Sequence, residues 1–544
     1  MRGLQALRST ALLAGFLICI AGCTSKHDSH PIQQSNRYDD LVALFAEWRV
    51  FQKPPLVDGV FDYSAPAMTK QHHDLTTYQQ RLAAIDTSGW PVAQRVDYHL
   101  VKAEMNGLDF DHRVRKPWAS NPAFYVMFFP DQSDVPAREG PVIYGAIELW
   151  AYSFPLTSEH AAELAAQIRA IPKALSQARN NLVENARDLW IAGIRSLKQQ
   201  SADLSELGNK VGDAALLTEI QSARAATDAF CAWLEKAAPG KTGPSGIGIE
   251  NYNWYLQNVQ LVPYTWREEV TIMRRELARA HAALRLEEHR NRKLPPQPLV
   301  ASAEEYDRRF NHAVTEYMAF LREQKIVSLR DYMDAALRER LGSFSPAKNG
   351  RREFFSEVNY RDPVVMRTHG YHWFDLARMK NEPHASPIRR VPLLYNIFAG
   401  RAEGLATGME EMMMHAGLFD ERPRTRELIW ILLAQRAARA LGDLHMHSNE
   451  WTMEQAIKFA SKWTPRGWLP EDGNTVWFEQ HLYLQQPTYG TSYVIGKIEI
   501  EQLLAERARQ LGDAFTLQRF IDELNAAAMI PLSLMRWELT GETR

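Results

Sequence analysis

Apolar residues recur at steps of three and four through most of this chain, and alternation at a step of two is scarce. That period belongs to helices with one buried face. It is plainest in SEHAAELAAQIRAIPKALSQARNNLVENARDLWIAGIRSLKQQ, where Ser158 is the expected N-cap. It returns in REEVTIMRRELARAHAALRLEEHR from Arg267, RELIWILLAQRAARALGDLH from Arg426 and KIEIEQLLAERARQLG from Lys497. The best strand pattern is short, near Pro141 to Ala146. A mostly α fold is therefore expected. KAAPGKTGPSGIG, from Lys236 to Gly248, is rich in turn formers and predicts a boundary near residue 240 between lobes 38–240 and 241–544.

The chain opens MRGLQALRSTALLAGFLICIAGC. Arg2 and Arg8 precede an apolar run from Ala11 to Ala21 that is too short for a permanent span, which marks residues 1–22 as a secretory signal peptide. Ile20-Ala21-Gly22-Cys23 resembles the lipobox of bacterial lipoproteins, with Cys23 as the lipidated residue. Residues 23–37 then read as the lipidated cysteine and a polar tether. A non-Asp residue, Thr24, after the cysteine implies, by resemblance to Gram-negative sorting rules, the outer membrane facing the periplasm. No later apolar run is long enough to span a bilayer, so the expected attachment is by lipid alone.

With 544 residues and 45% hydrophobic content the chain can bury a large core. Its 63 basic and 65 acidic residues leave a net charge of −2, which argues against a nucleic-acid partner. Beyond Cys23 the chain holds one cysteine, Cys231, on an apolar helical pattern with no basic neighbour in sequence; a buried inert thiol is expected.

Several segments resemble one bacterial family, the domain of unknown function 885: FDYSAPAMTKQHHDLTTYQQRLAAID from Phe61, RKPWASNPAFY from Arg115 and IGIENYNWYLQNVQLVPYTWREE from Ile247. The strongest are AEGLATGMEEMMMHAGLF from Ala402, RALGDLHMHSNEWTMEQA from Arg439 and QPTYGTSYVIGKIEI from Gln486. The family is similar in fold to helical zinc peptidases of the neurolysin and carboxypeptidase Taq type. The resemblance implies a two-lobed helical fold around a deep cleft, with the site in the second lobe.

Many members carry HExxPGHH ahead of an EGWAxYxE helix, in which histidines on one face hold zinc, a glutamate acts as base and a later glutamate completes the ligands. Glu403 and Glu410 match the two glutamates of the second motif; seven apart, they share one helical face with the small Ala406 and Thr407. The first motif departs. Setting its glycine on Gly370 places its last histidine on His372, Tyr371 for the preceding one, His369 for the proline, and Val365 and Met366 for the initial His-Glu. The remaining metal candidates are His369, His372 and Glu403, with zinc as the implied ion. An alternative is that both histidines only hydrogen-bond within a polar cleft, with Asp375, Arg378 and Arg367 forming a salt-bridge network.

Glu410, His447 and Tyr493 are the candidate catalytic residues, and Asp443 and Tyr489 the candidate substrate-binding ones. Asp443 and His447 lie four apart, so an acid faces an imidazole; that pairing suits acid–base work or plain helix stabilisation. Tyr493 matches a family tyrosine that is placed to bond an oxyanion, while Tyr489 stands where the family has glutamine. Met412 to Met414 read as core filler, and Trp463, Trp468 and Trp477 as loop anchors or pocket walls. Two functions are expected from different classes. One is a metal-dependent hydrolase of small peptides or amides. The other is a non-catalytic lipoprotein that binds a peptide or an envelope protein in the same cleft.

Overall fold

The computed structural model describes residues 34–138 and 140–542. The signal peptide, Cys23 and most of the tether lie outside the described residues. The regular secondary structure of the described chain is almost entirely helical. Its strands are two short ladders: Leu56–Val57 antiparallel to Val60–Phe61, and Phe128–Phe129 parallel to Ile147–Glu148. The expected strand at Pro141 to Ala146 is not one; pairing begins at Ile147, after a positive-φ turn at Gly145. Ser158 is likewise not the N-cap. Thr157 is, in extended backbone, with its hydroxyl accepting from the His160 N–H at 3.2 Å.

Apolar side chains gather in two main buried clusters. The smaller draws on residues between Tyr63 and Leu234; the larger runs from Leu41 to Trp537 and includes the helices Tyr38–Phe51 and Val92–Phe110. The clusters therefore do not divide at residue 240, because these early helices pack with the C-terminal half. The glycine-rich stretch 236–248 is pinned on both sides. The Thr242 N–H donates to Asn185 Oδ1 at 2.7 Å, and the Gly248 N–H to the His447 carbonyl at 2.8 Å. A Cβ on Gly246 would lie 2.1 Å from the Met446 carbonyl oxygen, so this glycine serves close approach.

The site is framed by four buried segments. The stretch from Val364 to Met379 is not one helix: Pro363–His369 ends at Gly370, and Tyr371–Asn381 begins beyond it. Helix Ala399–His415 carries the paired glutamates, and Thr425–His447 is buried along nearly all its length. Tyr489–Leu511 crosses the glutamate helix at Gly404 and Gly496, where a Cβ on Gly404 would come within 2.4 Å of backbone carbon. That contact lets Glu403 project beside the crossing. No described helix is long and apolar enough to cross a membrane.

Candidate metal centre

The break at Gly370 leaves His369 as the last residue of one helix and His372 in the first turn of the next. Their rings lie 5.1 Å apart, nearly perpendicular. Glu403 reaches them from the neighbouring helix. One ligand atom from each of His369, His372 and Glu403 lies within 4.8 Å of the others.

His372 and Glu403 are each 2% exposed, with Nε2 and Oε2 3.2 Å apart. The contact is off hydrogen-bond geometry, and both imidazole nitrogens of His372 are buried without a hydrogen-bond partner. Glu403 also accepts a hydrogen bond from the Tyr489 hydroxyl at 2.5 Å. Burial opposes both charges, yet the pair prevails. The Glu403 carboxylate, with Asp134 adding to it, raises His372 to about 9. The His372 charge, His369 and the Tyr489 hydroxyl bring Glu403 to about 2.

His369 and Glu410 make a second pair, Nδ1 to Oε1 at 3.1 Å. Arg436 grips both Glu410 oxygens at 2.7 Å and approaches His369 Nδ1 at 3.2 Å. Such a fork fixes the carboxylate in plane and supplies its counter-charge. Burial would raise Glu410, but Arg436 outweighs it and the carboxyl titrates below its usual range. Burial and the Arg436 charge hold His369 down. Both glutamates are thus buried and charge-compensated, each by its own partner.

Asp443 and His447 are fully buried, 3.7 Å apart. The Asp443 carboxylate accepts the Gly490 N–H at 2.8 Å, at the start of the Tyr489 helix, and a Tyr252 hydroxyl bond at 3.5 Å. Burial pushes its carboxyl well above the usual range. His447 Nε2 donates to the Tyr483 carbonyl at 3.0 Å, and burial holds the ring to about 4, so it is neutral there. Tyr493 lies under the Arg439 guanidinium, 4.2 Å from the ring centre, and 5.9 Å from the Tyr489 ring.

The salt-bridge expectation holds in part. Asp375 is gripped by Arg401 at 3.0 and 3.2 Å and by Arg378 at 2.7 Å. Arg367 is not in that network: it forms no ion pair among the described residues and sits 5.8 Å from the Phe310 ring. The Arg401 partner comes from the next helix and was not foreseen. Cys231 is buried, and burial pushes its thiol to about 11. Trp468 and Trp477 each carry an arginine 4.1 Å above the ring, and Trp463 packs edge-on to His281.

Sequence reading missed Arg436, Arg439 and Asp134. The first two had a signal. On a helix otherwise filled with Leu, Ile and Ala, Arg436, Arg439, Asp443 and His447 fall at steps of three and four, a polar stripe along a buried face. Asp134 comes from a distant loop and had none.

The model of the family described as "Bacterial protein of unknown function (DUF885)" matches residues 54–359 and 372–539. The chain belongs to that family. The DUF885 match is interrupted at 360–371, which holds Val365, Met366 and His369 and resumes at His372. Two solved structures share the fold. One is a candidate lipoprotein of unknown function from Shewanella oneidensis, 16% identical over 92% of this chain and 97% of that one, with a TM-score of 0.65. The other is a candidate lipoprotein from Colwellia psychrerythraea, also 16% identical with a TM-score of 0.65, over 92% of this chain and 98% of that one. No curated protein matches this DUF885 chain.

Proposed function

We propose that this DUF885 protein is a lipid-anchored envelope protein, at the periplasmic face of the outer membrane, that holds a zinc ion and hydrolyses an amide bond in a small peptide-like substrate. The observation that carries the reading is His372. A fully buried imidazole with neither nitrogen in hydrogen-bond geometry, facing a buried carboxylate, needs a positive charge between them, and a bound cation supplies it in place of the proton. Zinc bonds of about 2.1 Å put tetrahedral ligands about 3.4 Å apart, close to the 3.2 Å between His372 and Glu403. Two imidazoles and one carboxylate leave a position open, as catalytic zinc sites require.

In this reading His369, His372 and Glu403 hold the ion. Arg436 donates to His369 Nδ1 at 3.2 Å and anchors Glu410, whose Oε1 lies 3.1 Å from the same nitrogen, so the two together hold the His369 ring in place. Bound zinc supplies Lewis acidity toward a substrate carbonyl. Tyr493 and Arg439 line the same polar interior and offer donors for developing negative charge. Asp443 and His447 brace the start of the Tyr489 helix, and Tyr489 orients Glu403.

One observation favours a second reading, a non-catalytic lipoprotein that binds a peptide or an envelope partner. Val365 is fully buried and Met366 is a thioether, so no base stands where the family has its glutamate, and Arg436 occupies Glu410. Metal content separates the two. Protein purified without chelators should carry zinc near one per chain by mass spectrometry, and His372→Ala should lose it. Metal-free protein with an intact fold would sink the hydrolase reading and leave the binding one.

A further inference from the structure

A cavity of about 710 Å³ lies at the start of the helix that ends at His369, and none of the three candidate metal ligands lines it. That volume suits a small molecule or a short peptide. Its walls are apolar and rich in proline: Leu294, Pro295, Pro296, Pro298, Pro363 and Pro423. The strap 294–298 is tied down by arginines. Arg424 donates to the Leu294 carbonyl at 2.5 Å and the Pro295 carbonyl at 2.7 Å, and Arg309 to the Pro298 carbonyl at 3.3 Å. The wall is therefore formed before any ligand arrives, which spares the cost of ordering it.

Most charges on the lining are paired. Arg422 binds Glu316 at 2.9 and 2.5 Å and lies 3.3 Å from Asp362. Arg309 meets Glu305, Arg361 meets Glu357 and Arg424 meets Glu427. Two opposite charges are left over. Arg308 and Glu421 line the cavity, are exposed, and form no ion pair or hydrogen bond among the described residues. They sit apart. Arg308 precedes Glu316 by eight residues on helix Ala303–Glu323, a rise of about 12 Å. Glu421 adjoins Arg422, the partner of Glu316. His312, one turn on from Arg308, lines the cavity between them.

We propose that this cavity binds a short peptide with both termini free, three or four residues long. Its C-terminal carboxylate meets Arg308, its N-terminal ammonium meets Glu421, and its apolar side chains lie against the proline walls. An extended chain rises about 3.4 Å per residue, so three or four residues span a gap on the order of 12 Å. A fatty acid would satisfy Arg308 and offer nothing to Glu421. The helix Pro363–His369 runs from this wall to the candidate metal centre, so the peptide is held one short helix away from it. The binding rests neither on zinc nor on hydrolysis.

The test is isothermal titration of the mature lipidated protein in detergent, chelator-treated so that no probe is cleaved, with the tetrapeptide Ala-Phe-Leu-Ala. The same peptide amidated at its C-terminus, or acetylated at its N-terminus, should bind about fivefold more weakly, the loss of one exposed ion pair. Tetraglycine, which has the termini without the side chains, and decanoate, which has no ammonium, should each bind at least about tenfold more weakly. Arg308→Gln should weaken the free peptide about fivefold and bind the free and amidated forms alike. Glu421→Gln should do the same for the free and acetylated forms. Both side chains are exposed, so neither change should move the melting curve. No tetrapeptide binding, equal binding of the capped forms by wild type, tighter binding of decanoate, or undiminished binding by either variant would overturn the proposal. Peptide binding by a protein that takes up no zinc would uphold it while the metal reading fails; zinc uptake without peptide binding would do the reverse.

Discussion

At the scale of single residues, this protein keeps several of its buried charges by pairing each with a chosen partner. Glu410 has Arg436, Glu403 has His372, and Asp375 has Arg401 and Arg378. Glu499 is one instructive exception, and Glu269, with both carboxyl oxygens buried and unpartnered, is another. Glu499 lines a small cavity with Glu269, and burial there, offset only by the more distant Arg536 charge, pushes its carboxyl to about 8. A carboxyl raised in the folded state binds a proton that the unfolded chain releases near 4.3. Stability from this group is therefore complete below about pH 4 and lost as pH rises toward 8. Glu499→Gln should melt like wild type at pH 4 and be more stable at pH 8.5, by about 2 kcal/mol once its partial exposure is allowed for. Melting temperatures at the two pH values decide this. An equal shift at both would mean Glu499 stays ionised.

At the scale of elements, the helices were legible because burial of one face imposes a period of three to four residues. Their ends were not. Thr157 caps in place of Ser158, and the helix through His369 breaks at Gly370, because a cap or a break is set by local backbone and by what packs there. A Cβ on Gly370 would already press Leu337 at 3.0 Å, a contact no sequence window contains. The same reason hides the charge partners: the spacing of Glu403 and Glu410 placed both on one face, but Arg436 and Asp134 come from segments whose approach only tertiary packing fixes. The crossing of the glutamate helix with Tyr489–Leu511 is the element most exposed to a single methyl. Gly404→Ala would put its Cβ 2.4 Å from Gly496 backbone, which cannot rotate away. The helices must part, at a cost on the order of 3 kcal/mol. Because Glu403 adjoins that crossing, the variant should also lose zinc affinity out of proportion to Ala402→Gly, which opens no such clash. A Gly404→Ala protein with wild-type melting and metal content would show that the crossing tolerates the shift.

At the scale of the whole molecule, no described helix is long and apolar enough to cross a membrane, and the proposed attachment is the lipobox cysteine at the N-terminal end. Fourteen residues lie between Cys23 and Tyr38, where the first described helix begins. Even fully extended, that length reaches about 50 Å, less than the span a cell envelope protein needs to leave its membrane far behind. A lipid on Cys23 would therefore keep the helical body within about 50 Å of the bilayer. A single acyl chain binds only marginally, whereas several chains anchor stably, so the lipobox reading requires full lipoprotein processing. The helices packed into the larger core begin at Tyr38, so the anchor should contribute nothing to folding. Cys23→Ala should then accumulate as an unprocessed precursor or leave the membrane fraction. A protein lacking residues 1–23, expressed without the anchor, should melt at the wild-type temperature, bind zinc as wild type does and remain in the soluble fraction. Normal membrane fractionation of Cys23→Ala would remove the lipid anchor from the account, and a lowered melting temperature of the truncated protein would mean that the N-terminal segment packs on the body it was expected only to tether.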